Sequence, residues 1–148
     1  MARMVREAGL QDEIMVDSAG TSDWHVGSPP DARSTAAASA RGTTLAGEAR
    51  QVIATDFDSW DLLLCADRRN ASALLTLAPD AAAAEKVRLL REFDPASVAA
   101  GHMDVPDPYF GEDGFEEVLD IVEAACAGLL EHVRRRPDVP AGSGEPPC

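Results

Sequence analysis

The chain has 148 residues, 45% of them apolar, which is enough for one domain with a hydrophobic core and too few for two. Thirteen Lys and Arg against 26 Asp and Glu give a formal charge of -13, so nucleic acid and anionic membrane are disfavoured as partners. No run approaches the ~20 apolar residues of a membrane span, and no signal peptide opens the chain. The three cysteines (Cys65, Cys126 and Cys148) are widely spaced and contain no Cys-x-x-Cys. They argue against a disulfide framework or a zinc site and for a reducing, cytoplasmic setting.

In chain order, MARMVREAG at the start predicts the last turns of a helix, with Met4, Val5 and Ala8 on one face and Gly9 as its stop. Ile14-Met15-Val16 predicts a strand that runs into Asp17-Ser18-Ala19-Gly20-Thr21, as at the carboxyl edge of a parallel sheet. A loop over 22–30 offers the indole of Trp24. DARSTAAASAR over 31–41 predicts a helix, closed by Gly42. Thr55 to Asp58 predicts a capped turn, and Leu62-Leu63-Leu64-Cys65 a buried strand. A helix follows from Arg69 to about Leu77, broken by Pro79 and an alanine-rich loop, and then a strand at Val87 to Leu90. Phe115, Val118, Leu119, Val122, Cys126, Leu129, Leu130 and Val133 mark one face of a long helix with Arg134 to Arg136 at its negative end. The tail, 137–148, is Pro- and Gly-rich and predicts disorder after a domain spanning 1–136. Strands alternating with helices predict an α/β fold with a parallel sheet.

The stretch Asp104-Val105-Pro106-Asp107-Pro108-Tyr109-Phe110-Gly111 sits between two helix-forming regions. Asp107 precedes a proline, so its backbone is pushed toward the extended region, which sets where its carboxylate points. Tyr109 and Phe110 can wall an apolar slot beside it, a setting that suits a general acid. An ordinary Asp-Pro turn before a helix fits the same residues. Asp17, Asp23 and Asp67 are further carboxylates, for which loop and cap roles are commoner. His25 lies on an exposed loop, and neither His102 nor His132 has ligand spacing with another His or Cys, so no metal is expected.

Four segments together resemble the low-molecular-weight protein tyrosine phosphatase family. They are Asp17 to Gly27, Ala49-Arg50-Gln51 with Asp56-Phe57, Leu63 to Asn70, and Asp104 to Gly111 with Phe115-Glu116-Glu117-Val118. They follow the family's order and spacing from Gly9 to Val133. The resemblance implies a flavodoxin-like α/β fold, a four-stranded parallel sheet flanked by helices, whose central first strand is absent here. It implies hydrolysis of phosphotyrosine through a phosphocysteine, with the thiolate in a Cys-x5-Arg loop at a helix N-terminus. It assigns Asp107 as general acid, Trp24, Tyr109 and Phe110 as walls of the ring slot, and Ser18 as a hydrogen-bonding support of the phosphate loop. Substrates would be phosphotyrosine-containing proteins or aryl phosphates, and no cofactor is implied.

The Cys-x5-Arg loop is not in these residues. Six positions after Cys65 stands Ala71 and after Cys126 His132, while Cys148 is the last residue. Gly47 and Ala66 also depart from residues common in the family. The chain as given is therefore expected to be inactive. Three readings remain open at this point: a phosphatase whose first segment is omitted, a truncated relative that binds phosphotyrosine or a protein without chemistry, and an arsenate reductase on the same fold. The last would need a thiol relay that Cys65 and Cys126 do not suggest by their spacing.

Overall fold

The structure, a computed structural model, describes residues 1–108 and 114–135. Tyr109, Phe110 and the tail over 137–148 lie outside the described residues, as does Cys148.

Helix α1, Ala2–Glu7, ends as its glycine predicts. Gly9 takes φ 71°, and the N–H groups of Gly9 and Leu10 donate to Arg6 and Val5 carbonyls at 3.0 Å each. This satisfies the last carbonyls of the helix and folds Leu10 back onto Val5 in a small core that also takes Leu130. Helix α2, Ala32–Ala40, is capped by Asp31, whose carboxylate accepts the N–H groups of Arg33 and Ser34. Short α3, Asp56–Ser59, leads to strand β1, Leu63–Cys65, and then α4, Arg68–Leu77, is capped by Asp67. Next come α5, Ala81–Glu85, and strand β2, Val87–Leu89. A 3-10 turn at Leu90–Phe93, α6 at Pro95–Ala100 and the long α7, Gly114–Arg134, complete the described chain.

β1 and β2 run parallel with Leu63, Leu64 and Cys65 opposite Val87, Arg88 and Leu89. Leu63 and Cys65 point into a core of Phe57, Leu74 and Ala83, whereas Leu64 faces the other way and is 37% exposed. Each large apolar side chain fully buried there contributes roughly 1.5–3 kcal/mol.

The predicted strand at Ile14-Met15-Val16 does not form. Ile14 hangs from Leu10 by a 2.9 Å backbone hydrogen bond, and Met15 and Val16 are exposed. A strand exists only by pairing, and the first pairing beyond this stretch is an isolated parallel bridge between Gly20 and Gln51. The alanine-rich stretch predicted as a loop is helix α5, because Asp80 caps it by accepting the Ala83 N–H at 2.7 Å.

α7 lies directly on the 3-10 turn. A Cβ on Gly128 would sit 1.8 Å from the carbonyl oxygen of Phe93, so only glycine admits this approach. The Phe93 ring meets His132 edge-on at 5.1 Å. From the other side, Arg41 at the end of α2 reaches Glu116, Asp120 and Glu123 on α7. Among the described residues no helix is long and apolar enough to cross a membrane.

Candidate active site

Asp107 is carried by a segment with three fastenings just upstream. The Val105 N–H donates to the Ala66 carbonyl at 2.8 Å, immediately past the carboxyl end of β1. The Asp104 carboxylate accepts the Arg68 N–H at 2.9 Å and lies 3.7 Å from its guanidinium. The Asp104 carbonyl accepts from Arg91 Nη1 at 2.8 Å. The segment is thereby fixed over the start of α4, where Asp67 and Asp104 both meet the positive end of the helix dipole. Pro106 and Pro108 then hold the backbone on either side of Asp107 to narrow φ ranges. Asp107 itself is exposed at this edge.

Ser18 and Trp24 ride on a separately anchored segment. Gly20 exchanges hydrogen bonds with Arg50 and Val52 at 2.8 and 2.9 Å, and Gly27 donates to Ala49 at 2.8 Å, closing the base of the loop that holds Trp24. The Trp24 indole stands 87% exposed on that loop, and Ser18 is exposed next to Asp17. Asp17 is gripped by Arg50 at 2.9 Å, and Arg50 Nη1 reaches Asp56 at the same distance. Asp56 is nearly buried and also accepts the Ile53 N–H at 2.9 Å. The Arg50 hydrogen bond, with the Ile53 N–H, holds its carboxyl below the usual range against the opposing effect of burial. A shallow cleft of about 260 Å³ opens between this region and α4, lined by Thr21, Gln51, Val52, Ala73, Thr76 and Leu77. No sequence-predicted site residue lines it.

A sequence profile of low molecular weight phosphotyrosine protein phosphatases matches residues 1–139. A low molecular weight protein-tyrosine-phosphatase of Streptomyces coelicolor is 48% identical over 133 residues, spanning 89% of this chain and 80% of that one. This chain belongs to the low molecular weight phosphotyrosine protein phosphatase family. Low molecular weight protein-tyrosine phosphatase A of Mycobacterium tuberculosis is 42% identical over 91% of this chain and 80% of its own. In three dimensions, YfkJ of Bacillus subtilis superposes with a TM-score of 0.83 at 30% identity, covering 92% of this chain and 83% of YfkJ. A protein tyrosine phosphatase of Entamoeba histolytica gives 0.83 at 29%, over 90% and 83%.

The phosphatase is thus an α/β protein of the flavodoxin-like class and, by family, a phosphoric monoester hydrolase. Its two described thiols are poorly suited to nucleophilic attack. Cys65 is 2% exposed, and burial, with Asp67 and Glu92 nearby, pushes its thiol up to about 11. Cys126 is buried on α7. The sequence names Asp107, Ser18 and Trp24 as candidates but not the residues that anchor their segments. The Asp104 and Arg91 contacts span 36 and 13 positions and follow no periodicity.

Proposed function

We propose that this phosphatase hydrolyses phosphotyrosine in proteins or related aryl phosphates, with Asp107 as the general acid. In this reading the thiolate and its arginine belong to a Cys-x5-Arg segment, which these 148 residues do not contain. The observation that carries this reading is the three-way fastening of Asp104 and Val105, which holds a proline-flanked carboxylate at the carboxyl edge of the parallel sheet. Sulfur attacks phosphorus as the phosphorus–oxygen bond to the phenol breaks, and Asp107 gives its proton to the departing oxygen. A water oxygen then attacks phosphorus, its proton passes to Asp107, and the sulfur–phosphorus bond breaks to release phosphate and thiolate. A phenol of pKa about 10 leaves slowly as the anion, and a positioned acid is worth about 10²–10⁴-fold. Trp24, Tyr109 and Phe110 wall the ring of the substrate, and Ser18 steadies the phosphate loop. The work is done in the cytoplasm, a setting consistent with two buried free thiols.

The test is to extend the chain with the codons upstream of Met1 and assay it on a phosphotyrosine peptide beside the 148-residue form. Turnover by the extended enzyme alone supports the reading, and silence in both refutes it. The buried state of Cys65 and Cys126 favours one second reading, a module that binds phosphotyrosine without chemistry. An in-frame stop codon directly upstream, with peptide binding but no turnover, selects it.

A further inference from the structure

Arg91 is half-buried on the 3-10 turn, and its guanidinium is committed to the protein on two edges. Nε donates to Ser97 Oγ at 2.9 Å, and Nη1 donates to the Asp104 carbonyl at 2.8 Å. Ser97 is 3% exposed, and its hydroxyl donates in turn to Asp94 Oδ2 at 2.5 Å. Asp94 cannot swing away, because the same carboxylate caps α6 by accepting the Ala96 and Ser97 N–H groups at 3.1 Å each. The turn below is pressed against α7 by the contact at Gly128. An unbroken line of fixed groups therefore runs from α6 and α7 to the carbonyl of Asp104. From there Asp107 is three residues away, within about 10 Å of chain, and Pro106 and Pro108 remove most of the slack.

We propose that Arg91, oriented by Ser97 and Asp94, is a positioning residue that sets the placement of the Asp107 carboxyl against the leaving oxygen. The proposal rests on the assignment of Asp107 as general acid. Arg91 spends two of its five N–H donors on protein acceptors on different edges, which fixes the plane of its guanidinium. Its role is to prevent sub-ångström drift of the proton donor, and a misplacement of about 1 Å costs up to about 10²-fold in rate.

The experiment uses the extended enzyme and a series of aryl phosphates whose phenols range from strongly acidic to tyrosine-like. It reads kcat/KM, which reports the first chemical step. Arg91→Met is expected to lose about 10-fold on tyrosine-like phenols and less than about twofold on acidic ones, since only the former need the proton. Ser97→Ala should show the same slope in weaker form, and Arg91→Lys, which keeps a donor for the Asp104 carbonyl, should recover part of the loss. Should Arg91→Met fail to fold, the Ser97→Ala and Arg91→Lys slopes decide. A loss equal across the series, or no loss, overturns the positioning role. Asp107→Asn in the same series separates the two ideas: a steep slope there with flat Arg91 and Ser97 variants sinks only this proposal. A flat Asp107→Asn, or no turnover by the unmutated enzyme, sinks both.

Discussion

The carboxylate of Asp104 accepts the backbone N–H of Arg68 at 2.9 Å, so the first turn of α4 and the segment bearing Asp107 share one anchor. Helix starts leave N–H groups unpaired, and this one is satisfied by a residue 36 positions downstream. Asp104→Ala should cost about 1 kcal/mol of stability, as for loss of a capping side chain. It should also lower kcat/KM of the extended enzyme about 10-fold by loosening the acid segment. Urea unfolding and steady-state kinetics on one preparation check both numbers, and unchanged kinetics at reduced stability would limit Asp104 to a structural role.

Gly128 is where α7 meets the 3-10 turn, with a backbone carbonyl 1.8 Å from the place a Cβ would take. Neither neighbour is a flexible side chain that could swing aside. Gly128→Ala gains helix propensity of about 1 kcal/mol but forces the two elements apart, and the expected net loss is about 3 kcal/mol. A urea midpoint at or above that of the unmutated chain would show that the close approach is not real.

Asp56 and Asp94 both have carboxyl groups held below the usual value of 3.8. For Asp56 the first cause is the Arg50 hydrogen bond, and for Asp94 it is the Ser97 hydrogen bond. A depressed folded-state pKa adds stability that is complete above the unfolded value and is lost as pH falls through the folded one. The contribution should therefore be flat from neutral pH to about 4 and decline below it. Asp56→Asn should cost about 1–2 kcal/mol at pH 7, less than a fully buried pair because Arg50 is 36% exposed. The gap between it and the unmutated chain should narrow below pH 4, and thermal melts from pH 7 to 3 measure this. A gap that widens on acidification would reverse the assigned sign.

With its thiol pushed up to about 11 by burial, Cys65 is almost wholly protonated at pH 7. Under native conditions iodoacetamide should leave Cys65 unmodified over hours, and denaturant should expose it at once. Peptide mass mapping reads the result. Rapid native labelling, or aryl phosphate hydrolysis by the 148-residue chain that Cys65→Ser abolishes, would place the nucleophile where we have excluded it.

Local chemistry made much of this fold legible. Asp31 before an alanine run and Gly42 behind it bound α2, and the apolar face from Phe115 to Val133 lies along α7. α6 was overlooked although Asp94-Pro95 carries the cap and first-turn signals, and Gly101 at φ 70° supplies the stop. The failure at Ile14-Met15-Val16 has a different origin. Those residues favour a strand, but a ladder partner lies outside what a local window can supply. As a candidate, Asp107 stands out because two prolines and two aromatics surround it in sequence. The contacts of Asp104, Arg91 and Ser97 do not stand out, since they arise only when β1, α4 and α6 are brought together.

The most direct measurement is kcat/KM of the extended enzyme and its Asp107→Asn variant on an aryl phosphate with a tyrosine-like phenol. The account predicts a fall of about 10²-fold or more, much reduced when the phenol is acidic enough to leave unaided. An Asp107→Asn enzyme that keeps the full rate on the tyrosine-like substrate would contradict it.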